Sequence, residues 1–187
     1  MKKTLVLSSI LALSLSPMFA KPFNIDKSHS SVGFQVTHMM ISDVEGQFNN
    51  FSGSVDYDIA SKTLKALSGE VEISSIDTKN ASRDKHLNAN DFFDSAKFPK
   101  ATLVAKDIKG DKLTADLTLR GVTKPVTFDV SVKGPVENPM TKKQTIAIKL
   151  EGKINRKDFE VGKETGNAMV SDEVKIKISI EANEITK

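Results

Sequence analysis

Residues 82–119 read SRDKHLNANDFFDSAKFPKATLVAKDIKGDKLTADLTL, and the second half of this stretch decides the fold class. Leu113, Ala115, Leu117 and Leu119 alternate with Thr114, Asp116 and Thr118, the period of two expected of a strand with one dry face and one wet face. Ala101 to Ile108 precedes this run across a tight turn at Lys109-Gly110-Asp111-Lys112, so the two runs predict a hairpin. Upstream the pattern changes. No Gly or Pro interrupts the chain from Ser82 until Pro99, and Arg83, Asp84, His86 and Leu87 predict a short helix. A second turn over Asp91 to Ala96 follows, with Asp91 as its N-cap. There Phe92 and Phe93 reach Ala96 at helical spacings, giving a small apolar face suited to covering one end of a sheet. Pro99 ends the helix and biases Phe98 toward extended backbone.

The alternation recurs in both directions. Val32, Phe34, Val36 and His38 share a face against Gly33, Gln35 and Thr37. Met39 to Glu45 reads as a break, after which Gly46 to Asp58 and Leu64 to Ile76 are extended. On the C-terminal side, Val126 to Val132, Ile146 to Ile154 and Val174 to Ile180 repeat the pattern. The count is about eight strands, with the helical interruption between the third and fourth. Sustained alternation argues an all-β, antiparallel sheet with one apolar face. A sandwich or a closed barrel would bury that face, and eight strands make a barrel that either fills with side chains or holds one small ligand. Periodicity leaves both architectures open.

The N-terminus has the order of an export signal: Lys2-Lys3, an apolar run from Leu5 to Leu15, then Pro17-Met18-Phe19-Ala20. The run is too short to span a bilayer, so residues 1–20 are expected to be a signal peptide and 21–187 a single domain, periplasmic or secreted. Removing residues 1–20 from the 187 leaves 167, enough for one core, and losing Lys2 and Lys3 takes the net charge from +3 to +1. No transmembrane segment is expected after that removal. Lys and Glu are interspersed without a basic block, which argues against nucleic acid as a partner. Cysteine is absent, excluding disulfides, thiolate metal sites and a cysteine nucleophile.

Catalytic signals are weak. The three histidines, His29, His38 and His86, fall in no metal-binding spacing, and neither HExxH nor GxSxG occurs. A metal site, a resident cofactor and catalysis are therefore not expected. His38 extends an apolar strand face, where it either meets a ligand or is satisfied by a carbonyl. Arg83 and His86, three apart on the helix, either meet a polar head group or form a solvated helix face.

Three segments carry a family resemblance: RDKHLNANDFFDSAKFPKATLVA (83–105), GDKLTADLTLRGVTKPVTFDV (110–130) and INRKDFEVG (154–162). In this order they resemble the YceI-like family of periplasmic polyisoprenoid-binding proteins, a resemblance running from about Phe23 to the C-terminus. It implies a lipocalin-like antiparallel barrel with a short helical insertion near one end, which decides against the sandwich, and it allows a homodimer. Arg156 stands in the family's Arg-x-Asp-aromatic motif, read here as an arginine pinning a loop, but Glu160 occupies a position where the family usually carries glycine.

Together these observations predict a protein that holds one long apolar chain, a polyisoprenoid, quinone tail or fatty-acyl lipid, for transport or storage. Candidates for the inward, ligand-contacting face are Phe34, Val36, His38, Phe92, Phe93, Val104, Leu117, Phe128, Val130, Ile148 and Leu150, with Arg83 and His86 as head-group contacts. Two other readings compete. One is a lipid-pyrophosphate hydrolase, metal-dependent or acid/base, built on His38, His86 and Arg83. The other is a secreted structural or stress protein with a filled core.

Overall fold

A computed structural model describes residues 20–185; the expected signal peptide lies almost wholly outside the described residues. Ten strands form one antiparallel sheet: β1 (Lys21–His38), β2 (Ser42–Phe48), β3 (Phe51–Asp58), β4 (Thr63–Glu72), β5 (Ile76–Asp77), β6 (Lys100–Lys109), β7 (Lys112–Leu119), β8 (Val122–Glu137), β9 (Gln144–Asn155) and β10 (Glu173–Glu184). β2 and β3 both pair with β1 and continue one another across Asn49-Asn50. β4 and β5 likewise face β3 and β2 across a 3₁₀ turn at Ile73–Ser75. Each pair is one bent stave, so the barrel has eight staves. β1 pairs with β10 from Phe23↔Glu184 to Gln35↔Lys175 and closes it. Every neighbour in space is a neighbour in sequence apart from that closure, the up-and-down arrangement that leaves no sheet edge to aggregate along its closed length.

The helical insertion α1 (Ala81–Leu87) lies between the third and fourth staves. Its N-cap is Asn80, whose side chain accepts a hydrogen bond from the Arg83 amide. Asp91 caps no helix, because residues 91–97 form turns, and Ala96 is exposed. β1 starts nine residues before Ser30, where the alternation begins in sequence. The cause is a bulge: the β1–β10 register shifts between Asp26 and Ser31. Phe23 and Ile25 pack on the core at odd positions, whereas Val32 and Phe34 face inward at even ones. A bulge changes which residues face in. The break after His38 is only three residues long, since β2 begins at Ser42.

The staves end in two differently built rims. At one rim lie the short turns between β3 and β4, β6 and β7, and β8 and β9. At the other lie the β1–β2 turn, the segment 78–99 with α1, the Arg120-Gly121 turn and the segment 156–172. The interior is dense toward the first rim: Leu113, Ala115, Phe128 and Ile148 are wholly buried there, and Phe23 and Tyr57 meet edge to face at 5.8 Å. Toward the second rim the interior is hollow.

Candidate functional site

The hollow end encloses a cavity of about 460 Å³, lined almost entirely by carbon, within the roughly 300–1,000 Å³ usual for small-ligand sites. β1 supplies Val32, Phe34, Val36 and His38 on its inward face. β10 faces them with Val174, Ile176 and Ile178, and the insertion covers the end with Leu87, Phe92 and Phe93. Phe34, Phe48 and Phe93 form a chain of tilted and edge-to-face rings, with centroids 5.9 and 6.2 Å apart.

Of the candidates named from sequence, Phe34, Val36, His38, Phe92, Phe93 and Leu117 line this cavity, as do Arg83 and His86. Phe128, Val130, Ile148 and Leu150 also point inward but lie in the dense half, packed on one another and outside the cavity lining. Val104 is corrected: it is 43% exposed. Leu103 pairs with Leu117 and Val104 with Asp116, so the hairpin register sends Leu103 into the barrel and Val104 to its outer face. The lining also includes Val44, Phe48 and Leu103, which sequence reading passed over. Phe48 was obscured because the bend at Asn49-Asn50 switches the inward parity between β2 and β3. Its signal was the even spacing of Val44, Gly46 and Phe48.

Polar groups gather where β5 leads into α1. Thr78 is buried at the cavity wall. Its hydroxyl donates to Asp84 Oδ1 at 2.5 Å and accepts from Arg83 Nε at 2.7 Å, while Arg83 Nη2 donates to the Thr78 carbonyl at 2.7 Å. Arg83 thus does two things at once: it fastens α1 to the barrel and it borders the cavity. Among the described residues its Nη1 has no protein acceptor and no carboxylate forms an ion pair with it. His86 Nε2 lies 2.8 Å from Asp91 Oδ2, its ring edge-on to Phe92 at 4.9 Å. That hydrogen bond holds the Asp91 carboxyl below its ordinary range.

The segment 156–172 is organised by Arg156, which is 3% exposed. Its guanidinium donates to the carbonyls of Val161, Gly162, Thr165, Val170 and Ser171 and pairs with Asp172 at 2.9 Å. Burial pushes its pKa down and the Asp172 charge opposes this. Every carbonyl it binds belongs to the cap, so the arginine pins that loop over the cavity. Glu160 caps the preceding 3₁₀ turn with φ of 60°, the left-handed backbone that glycine adopts without cost.

Among the described residues one grouping of potential metal ligands is present, Asp26, His29 and Glu181. It lies on the outer face at the β1 bulge and includes neither His38 nor His86. His29 Nδ1 sits 2.9 Å from Asp26 Oδ2, which raises the imidazole pKa and lowers that of the carboxyl.

The comparisons with known proteins agree with this geometry. A UPF0312 protein of Staphylococcus aureus strain USA300 is 42% identical over 164 residues, covering 85% of this chain and 95% of its own. The solved Campylobacter jejuni YCEI protein superimposes with a TM-score of 0.75 at 36% identity, covering 86% of this chain and 96% of that one. A polyisoprenoid binding domain from Saccharophagus degradans, implicated in plant cell wall breakdown, shares the fold with a TM-score of 0.66 at 16% identity, covering 89% and 99%. The model of the YceI-like domain matches residues 23–182. That span runs from the first strand of the closed barrel to its last, and with it the chain belongs to the YceI-like family.

Proposed function

We propose that this protein binds one long apolar chain, such as a polyisoprenoid, a quinone tail or a fatty-acyl lipid, in the hollow half of its barrel, with Arg83 and His86 meeting the polar head. The carrying observation is the cavity itself: a space of about 460 Å³ walled by aliphatic and phenyl side chains. Each buried CH₂ contributes roughly 0.8 kcal/mol, and association costs on the order of 4–15 kcal/mol, so tail length dominates affinity and the head group adjusts it. Such a site suits non-covalent holding better than catalysis, which requires a polar reacting atom placed in register with acid, base or nucleophile. The polyisoprenoid-binding domain of the same fold supports the ligand class by analogy.

The export reading belongs to the same proposal. A chain released without residues 1–20 would sequester or carry its ligand through an aqueous compartment outside the cytoplasm. A filled-core structural protein finds no support in a barrel with an apolar cavity, and a hydrolase on His38, His86 and Arg83 would have to act on a polar bond beside a lining that is chiefly apolar.

Native mass spectrometry of residues 21–187, purified without detergent, tests the proposal. A single adduct that extracts as a long isoprenoid or acyl lipid is the expected result. A bare chain that also takes up no added isoprenoid, quinone or fatty acid would overturn it.

A further inference from the structure

The β1–β2 turn violates the chemistry of its own geometry. Met39 and Met40 have φ of 50° and 63°, and Ile41 N donates to the His38 carbonyl at 3.2 Å. The loop holds three residues, since the ladder closes at His38↔Ser42, and its β-turn from His38 to Ile41, with left-handed backbone at both central positions, selects Asn-Gly or a close equivalent. Two methionines there resist the backbone, and nothing buries them in return: Met39 is 50% exposed, Met40 72% and Ile41 85%. The two-residue turn between β7 and β8, Arg120-Gly121, has left-handed backbone at both positions too, but carries glycine at the second. Met169, 53% exposed, joins the cluster, its carbonyl accepting from Met39 N at 3.0 Å. A position that breaks a local rule with no gain in packing marks a surface kept for something outside the fold.

Place and shape narrow what that something is. The tip stands on the rim of the hollow end, continuous with the cavity: His38 precedes it on the lining, and Met169 belongs to the lining itself. Ser42 and Asp43 follow at once, both exposed, so the apolar patch stops abruptly one residue beyond Ile41. Even at the about 150–250 Å² a large side chain buries, four residues this exposed supply less than the about 800 Å² per partner of a stable protein complex. A bilayer needs no complementary face, because hydrocarbon solvates whatever enters it. On the same rim Lys79, Arg83, Lys85 and Lys97 make no ion pair among the described residues, but neither do Asp43, Asp94 and Glu164, so charge gives little pull in either direction. We infer that the Met39-Met40-Ile41 tip, with Met169 beside it, inserts into the surface of a lipid bilayer and seats the hollow end of the barrel on the membrane. The tip would serve the chain-binding role proposed above, yet vesicle binding and ligand binding are separate measurements and either can fail alone.

The test is flotation of residues 21–187 with large unilamellar vesicles, one set of phosphatidylcholine alone and one of phosphatidylethanolamine with phosphatidylglycerol. The wild type should float with both, and binding should change little between low and high salt, as insertion rather than charge requires. The variant Met39→Asn/Met40→Gly/Ile41→Ser gives the turn the residues it prefers, so it should melt no lower than wild type. It should lose about tenfold or more of the vesicle partition and keep the same uptake of a fluorescent fatty acid in solution, since none of the three residues lines the cavity. A wild type that stays with the soluble fraction, or a variant that floats equally well, overturns the inference. So does concentration-dependent dimerisation that the variant abolishes, which would give the tip to a second copy of the chain.

Discussion

Gly46 stands directly opposite Phe34 across the β1–β2 ladder, and a Cβ at position 46 would strike both the Phe34 ring and the Thr78 methyl. The missing side chain is what lets the ring lie along the wall. Gly46→Ala should therefore drive Phe34 into the cavity, costing about 1–3 kcal/mol of stability through overpacking and reducing the uptake of long chains. Urea denaturation and fluorescent fatty-acid titration of the same variant check both effects; unchanged uptake would show that the ring finds room elsewhere.

Leu103 and Val104 make a paired test of which face is inside. Leu103→Glu places a carboxylate in the apolar interior and should destabilise the protein by several kcal/mol or abolish chain binding. Val104→Glu changes an exposed residue and should stay within about 0.5 kcal/mol of wild type. Thermal melts of the two variants side by side decide the matter.

The same pair shows what could be read from the chain and what could not. Strict alternation in β7, β9 and β10 announced the inward face residue by residue. Where two apolar residues are adjacent, as at Leu103-Val104, periodicity has no phase to offer, and only pairing with Leu117 and Asp116 supplies it. The early part of β1 was hidden for a related reason, since a bulge after Asp26 exchanges odd for even positions. Eight staves and the place of the helical insertion were legible because each depends on local pattern. The division into dense and hollow halves was not, because Phe128 and Phe34 look alike in sequence and differ only in what lies across the barrel from them.

Arg156 should be costly to remove. Arg156→Met leaves Asp172 with Lys157 as its one remaining cation and takes the guanidinium from five cap carbonyls, of which Gly162 keeps the Thr165 amide as donor, a loss of about 3–5 kcal/mol. Arg156→Lys should recover little of it, because one ammonium cannot reproduce the planar fork. Chemical denaturation measures the loss, and proteolysis within 160–171 should quicken in both variants.

Glu160 invites a stabilising change. At φ of 60° glycine relieves the left-handed strain, offset in part by the freedom it adds to the unfolded chain. The exposed pair with Lys163 at 2.8 Å contributes little. Glu160→Gly should raise stability by about 0.5–1 kcal/mol, read as a shift in the urea midpoint at constant slope.

The His29–Asp26 pair gives stability a pH window. The folded pKa of His29 is raised, first by its hydrogen bond to Asp26. Its contribution is therefore fully present below the unfolded value of about 6.5 and is lost as pH rises through the folded one. The folded pKa of Asp26 is lowered, first by the same hydrogen bond, so its contribution holds above about 3.9 and is lost as pH falls through the folded value. Both groups are open to solvent and the effect is small. Urea midpoints at about pH 5.5 and pH 8.5 should differ less in His29→Gln than in wild type, and an equal difference would assign the pH dependence to other groups.

A barrel solid at one end and empty at the other divides the labour along each strand rather than between strands. Leu150 and Ile154 belong to one strand, but Leu150 is a structural member and Ile154 a wall of the chamber. Diversification of the ligand within such a scaffold then requires only substitutions near one rim, without new loops and without disturbing the residues that keep the staves upright. Inheritance of the architecture and invention of the contents are, in this molecule, a matter of how far along the strand a mutation falls.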